Sequence, residues 1–259
     1  MNAIDIRTVE VVQYIKPLRE GGSLPAIVLG DDDFLYVLKF RGAGQGSKAL
    51  IAEFIGGELA RAMGLNVPEL VFMQLDDSFS KTEGDEEIQD LLKFSVGLNL
   101  GLHFLSGAIA YDPLVSLADP FSASKVVLLD SMISNIDRTV KNTNLLNWNR
   151  ELWLIDHGAS LFFHHNWDTW KSHLGRTFPQ VKEHVLLEKA SMLTDASVEI
   201  RQLINRDIIQ EIISKIPDDW LHEDNSAMTA EEKREAYIVF LVDRWLDIDS
   251  LTKEAEDAR

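Results

Sequence analysis

Two carboxylates and an amide fall close together in the middle of the chain. Asp137 follows an apolar segment and is itself followed by Arg138, Lys141, Asn142 and Asn144. Nineteen residues later Asp156 ends a short apolar run and precedes His157 and Gly158. Brought together across a hairpin, Asp137, Asn142 and Asp156 would form an all-oxygen site for a hard cation such as Mg2+. That cation keeps waters and takes its remaining ligands from substrate phosphates. A carboxylate at Asp137 could also accept the proton of an attacking hydroxyl, the role that phosphoryl transfer asks of its base. The same residues also suit plain turn positions, with Asn142 and Asn144 as hairpin caps.

A second group lies upstream. Lys39 sits inside the apolar run YVLKF, and Glu53 comes fourteen residues later. That spacing accommodates a strand end, a turn and one to two helical turns. In such an arrangement the lysine holds nucleotide phosphates and the glutamate fixes its direction. A lysine at a strand rim also points readily to solvent. Glu58 competes with Glu53, but five positions along a helix is a rotation of about 140°, so at most one of them faces the strand. Gly21, Gly22 and Ser23 form a turn whose backbone N–H groups could cradle a phosphate. An ordinary hairpin turn would use the same residues.

The elements that must position these residues follow from periodicity. TVEVVQYI (8–15), AIVLG (26–30) and FLYVLKFRG (34–42) read as three strands of an antiparallel meander. Leu50, Ile51, Phe54, Ile55, Leu59, Ala62 and Met63 recur at helical spacing, with Gly64 as the stop. Pro68 blocks continuation, and NVPELVFMQL (66–75) suits another strand. Residues 76–90 are acidic and polar, an expected exposed excursion, and 91–107 is a glycine-rich connector. The remainder reads as mainly helical: 122–135 with a serine cap, 202–216 as one apolar stripe, and 229–248 opening on a Thr-x-x-Glu capping box. LLNWNRELWLID (145–156) is a short hairpin turning at Asn149 and Arg150.

The expected class is therefore α+β. A small β-rich N-lobe with one helix (1–100) carries nucleotide-phosphate binding. A larger, mainly helical C-lobe (101–259) carries the catalytic and metal-binding loop.

Composition narrows the function. The 259 residues contain no cysteine, which excludes disulfide scaffolds, thiolate nucleophiles and sulfur-ligated metals. A net charge of −17 repels nucleic acid and anionic membranes, so neither is expected as a partner. No apolar run is long enough for a membrane span or a leader, and a soluble cytoplasmic protein is expected. An ATP site in so acidic a chain needs local cations. Lys39, Arg41, Lys48, Arg138 and Lys141 all fall in the segments concerned. His157, His164 and His165 could suggest a metal hydrolase, and Trp148, Trp153, Trp167 and Trp170 a ligand box. Core and hairpin packing is the simpler use of both sets.

Glycine turn, strand lysine, helix glutamate, Asp-x4-Asn and strand-Asp follow one another in the order of a protein-kinase-like site. The usual kinase phrases are not literal: Asn135-Ile136-Asp137 and Asp156-His157-Gly158 stand at the corresponding places. In GGSLP (21–25), YVLKF (36–40), AEFIGGELARAMGLNVPE (52–69), NIDRTVKNTNLL (135–146) and LWLIDHGASL (152–161), the chain resembles the HipA-like kinase family. Leu24 and Ala26 depart from the residues that often flank the loop proline in that family. The resemblance implies a two-lobed protein-kinase-like fold using ATP and Mg2+. It implies that Lys39 contacts the phosphates, that Glu53 orients it, that Asp137 is the catalytic base, and that Asn142 and Asp156 hold the metal. The expected activity is γ-phosphate transfer to a hydroxyl, most simply of a protein serine or threonine. The alternatives are a kinase for a small molecule and a catalytically silent regulatory module.

Overall fold

The computed structural model describes residues 4–18, 24–44, 46–82, 84–224 and 226–259. Gly21, Gly22 and Ser23 lie outside the described residues.

Five strands close into a barrel: β1 (Thr8–Pro17), β2 (Ala26–Gly30), β3 (Leu35–Lys39), β4 (Leu70–Leu75) and β5 (Gly97–His103). Their order is β1-β2-β3-β5-β4, antiparallel throughout except that β4 runs parallel to β1 and closes the ring. The first three strands form the expected meander. The segment read as a glycine-rich connector supplies β5, which pairs with both β3 and β4. Gly101 explains the disguise. A Cβ there would lie 2.5 Å from Met73 Sδ, so the strand carries a glycine where a neighbour fills the barrel.

Strand alternation sorts residues between two apolar clusters. Val71 and Met73 of β4 and Tyr36 and Leu38 of β3 point into the barrel. Leu70, Phe72, Leu100 and Leu102 face the other way, into the larger core that contains helix α1 (Gly46–Ala62). Val37 joins that core, so Lys39, two residues on, lies on the helix-facing side of β3.

The stretch at 76–90 is not a bare excursion. It contains α2 (Ser78–Thr82) and the start of α3 (Glu86–Phe94), whose Ile88 and Leu92 plug the barrel. Asp85 caps α3, its side chain accepting from the Glu87 N–H.

The rest of the chain is built around α4 (Pro120–Ile133), which is buried along most of its length and packs on α1. It starts at an Asp119 cap rather than at Ser122, with Pro120 in the first turn. A short strand β6 (Ile109–Ala110) pairs with the hairpin β7 (Leu145–Trp148) and β8 (Glu151–Leu154). That hairpin turns at Asn149 and Arg150 with φ of 51° and 68°, both central residues left-handed as a type I′ turn requires.

Four short 3-10 segments between Phe162 and Lys189 lead to α5 (Leu193–Leu203), α6 (Arg206–Ser214), α7 (Asp218–His222), α8 (Ala230–Leu246) and α9 (Ile248–Ala258). The predicted helix 202–216 is broken, because the Asn205 side chain accepts from the Ile208 N–H and starts a new helix there. The capping box of α8 forms as read, between Thr229 and Glu232. Among the described residues no helix is long and apolar enough to cross a membrane.

Candidate active site

Lys39 and Glu53 meet because one ends β3 on its helix-facing side and the other lies on the buried face of α1. Lys39 Nζ donates to Glu53 Oε2 at 2.9 Å and to Asp156 Oδ1 at 2.7 Å. Burial alone would lower the Lys39 pKa, but Glu53 and Asp156 outweigh it and hold the ammonium firmly charged. Burial likewise opposes the Glu53 carboxylate. The Lys39 charge and a hydrogen bond from His157 overcome that and keep it well below the usual carboxylate range.

Glu53 also accepts the backbone N–H groups of Asp156 (3.2 Å) and His157 (2.5 Å). One buried carboxylate thus fixes both the lysine and the turn that carries Asp156. Asp156 adopts a left-handed φ of 57°, a strained choice for a non-glycine residue. Its side chain remains 48% exposed. His157 is fully buried, and neither of its ring nitrogens has a hydrogen-bond partner. Glu58 turns to Arg61 (3.2 Å) instead of the strand, and burial raises its pKa.

Asp137 is held from two sides. Its Oδ2 accepts from Asn142 Nδ2 at 2.8 Å and from Asn144 Nδ2 at 3.3 Å, and its N–H donates to Asn135 Oδ1 at 3.1 Å. Asn144, with φ of 48°, also reaches the Asp156 carbonyl at 3.5 Å and so links the two acidic positions.

Beneath this loop lies an ionic cluster that sequence reading missed. Arg138 Nε donates to Asp130 Oδ2 at 2.5 Å, His184 Nε2 lies 3.0 Å from the same oxygen, and Asn135 Nδ2 donates to Asp130 Oδ1. Arg138 further donates to the carbonyls of Asn144 and Ile155. Its signal in the sequence is an aspartate inside the mostly apolar run VVLLDSMI (126–133).

Lys39, Asp137 and Asp156 line one cleft of about 250 Å3, together with Gly44, Gly46, Ala49 and Gly158. Asn142 reaches this cleft only through Asp137. Gly44, between β3 and α1, and Gly46, which opens α1, are a second feature that sequence reading passed over. Gly46 has a φ of +61°, and open space surrounds Gly44, so the backbone there is bare towards the cleft.

The local cations expected for an ATP site are mostly spoken for. Arg138 is sealed against Asp130, Arg41 pairs with Glu223, and Lys48 pairs with Asp224 at 3.2 Å. Lys39 is the cation that lines the cleft.

Asp156, half exposed, and the Asn142 carboxamide are oxygen donors on the two loops that border the cleft. Two protein oxygens with open positions suit a hard cation that shares its shell with phosphates. Among the described residues no three His, Asp or Glu side chains gather into a metal cage of their own. His164 hydrogen-bonds Tyr237 in the core, where burial keeps it neutral, and Trp167 donates to Asp224. His164 and Trp167 are thus engaged with Tyr237 and Asp224.

The family model described as HipA-like kinase matches residues 11–245. No curated protein matches the chain. Among solved structures the fold is similar to the crystal structure of a Helicobacter pylori proinflammatory kinase, CtkA. Identity is 14% and the TM-score 0.58, over 99% of this chain and 98% of that one. It is also similar to the Golgi casein kinase with Mn/ADP bound, at 11% identity and a TM-score of 0.53, over 98% of this chain and 74% of that one. At such identities the likeness speaks for the fold: a mixed α/β kinase fold.

Proposed function

The chain belongs to the HipA-like kinase family, and on that premise we propose that it transfers the γ-phosphate of ATP, with Mg2+, to the hydroxyl of a protein serine or threonine. Residues 1–100 act as the nucleotide-phosphate lobe and 101–259 as the helical lobe that carries the catalytic loop. The observation that carries this reading is the convergence of Lys39, Asp137 and Asp156 on one cleft, with Glu53 buried behind the lysine.

Each residue then has one task. Glu53, buried and charged, keeps Lys39 directed into the cleft, where its ammonium meets the nucleotide phosphates. Of the two carboxylates on Lys39, Asp156 is the exchangeable one, because it is exposed whereas Glu53 is not. Asp156 and Asn142 hold Mg2+, which neutralises the charge of the transferring group when bound. Gly21, Gly22 and Ser23 add backbone N–H groups towards the phosphates.

Asp137 accepts the proton of the acceptor hydroxyl as its oxygen bonds to the γ-phosphorus and the bond to the β–γ bridging oxygen breaks. Asn142 and Asn144 aim the Asp137 carboxylate by donating to Oδ2. The acceptor surface is the helical side of the cleft.

Calorimetric titration of ATP with and without Mg2+, beside transfer from γ-labelled ATP, tests this. Asp137→Asn is expected to lower transfer by about 10²- to 10⁴-fold while ATP binding persists. Asp156→Asn is expected to abolish the magnesium dependence of binding. Full transfer by Asp137→Asn removes it as the base, and no ATP binding in any condition ends the kinase reading.

A further inference from the structure

A second cavity, of about 560 Å3, opens beside the catalytic loop and serves none of the steps above. Its wall includes Ser134, three residues before Asp137, so the two Cα atoms are separated by about 11 Å at most. Phe162 forms another part of the wall, and the preceding Leu161 N–H donates to the Ile133 carbonyl at 2.8 Å. One wall of the cavity is thus tied to the start of the loop that carries Asp137.

Its chemistry is the reverse of the protein's. The chain carries a net charge of −17, yet no carboxylate lines this cavity, whereas Arg244, Arg176 and His173 do. Arg244 is 2% exposed and forms no ion pair with any described residue. Its terminal nitrogens donate to the carbonyls of Arg176 and Ser131, and its buried Nε has no acceptor. Burial pushes this guanidinium down, and Glu254, Asp247 and Asp243 act in the opposite direction.

Two of those acids are committed elsewhere. Asp243 accepts the Gly175 N–H at 2.8 Å and Glu254 the Phe178 N–H at 2.5 Å, so they hang the 175–178 strap that walls the cavity. A buried guanidinium with no direct ion-pair partner and an unsatisfied Nε, beside a wall free of carboxylates, attracts an anion. Thr177 and Ser134 add polar groups at the wall, and Phe162, Phe178 and Phe240 add apolar surface. The volume and the aromatic walls exceed what a bare ion needs and suit an anion borne on a larger carrier.

We propose that this cavity binds a carboxylate or phosphomonoester side chain of the polypeptide that presents its hydroxyl to Asp137, and so selects acceptors with an anionic residue within about three positions of the target. The selection step rests on the kinase reading; the anion site does not.

The test keeps the two apart. In the Asp137→Asn protein, a labelled phosphoserine peptide and its serine twin are titrated by fluorescence anisotropy, with Arg176→Ala as the second variant. The phosphopeptide is expected to bind at least tenfold tighter than its twin, and Arg176→Ala to remove about tenfold of that. Equal binding of the two peptides, or no effect of Arg176→Ala, overturns the anion site. Competition by inorganic phosphate as strong as by the peptide assigns the site to a free phosphomonoester and overturns the acceptor role.

In parallel, wild-type transfer is measured over a serine peptide library with Asp, Glu, phosphoserine or Lys at flanking positions. A preference for anionic neighbours that Arg176→Ala erases supports selection, and a flat profile overturns it. Anion binding without transfer to any peptide overturns the selection step and the kinase reading, and leaves the anion site standing.

Discussion

Two ionic clusters stand one above the other in this protein, built from the same chemistry and put to opposite uses. In the cleft, Lys39 is shared between Glu53, 1% exposed, and Asp156, 48% exposed. Below the loop, Arg138 and Asp130 are both fully buried, and His184 closes the set. The first cluster has a carboxylate that water and ligand can reach. The second has none, and its guanidinium is consumed by carbonyls as well as by Asp130. Accessibility of one partner separates a group that can exchange its contacts from one that only holds a loop in place.

That contrast can be broken at three points. The largest effect is expected from Arg138→Ala, which takes the guanidinium from buried Asp130, leaving it only His184 and Asn135, and should cost about 3–5 kcal/mol of stability in urea unfolding. A loss below about 1 kcal/mol would mean that the lower cluster holds nothing.

Acid should come next, and it strikes both clusters. Glu53 and Asp130 have folded pKa values below their ordinary 4.5 and 3.8. The stability they contribute is complete above those values and drains away as pH falls through and below them. Unfolding followed from pH 6 to 2 should show this limb, and Glu53→Gln should remove its own share. An unchanged limb in that variant would mean that Glu53 is not held charged.

The smallest effect is expected from Asp156→Asn. Its half-exposed side chain should cost less than about 1 kcal/mol in stability, measured by the same unfolding. A larger loss would make Asp156 structural and collapse the distinction between the clusters.

The elements legible in the sequence were those with a local cause. Strand boundaries at Ala26 and Gly30, the Asn149-Arg150 turn and the Thr229–Glu232 box are each written in a few adjacent residues. The Lys39–Glu53 contact was legible because strand alternation and helical rotation leave few ways for the two to face.

What escaped depends on distant partners. β5 hides behind Gly101, whose reason is Met73 on the neighbouring strand. The break before α6 is the exception, a local Asn205 cap hidden within the apolar stripe. Asp130 drew no notice, because its partners Arg138 and His184 lie eight and fifty-four positions away. Arg41 and Lys48 were read as free for phosphate because Glu223 and Asp224, which hold them, lie at the far end of the chain.

Gly56 of α1 lacks a Cβ where one would lie 2.6 Å from the Cβ of His157. Helix and Asp156 turn are therefore wedged against each other and also riveted by Glu53, so they travel as a single stiff piece. Whatever enters the cleft cannot pry them apart. On the strand side the hold is softer, a four-carbon lysine stem that reaches Glu53 and Asp156. Exchanging Gly56 for even an alanine would drive a shim into that joint and transmit the displacement straight to Asp156.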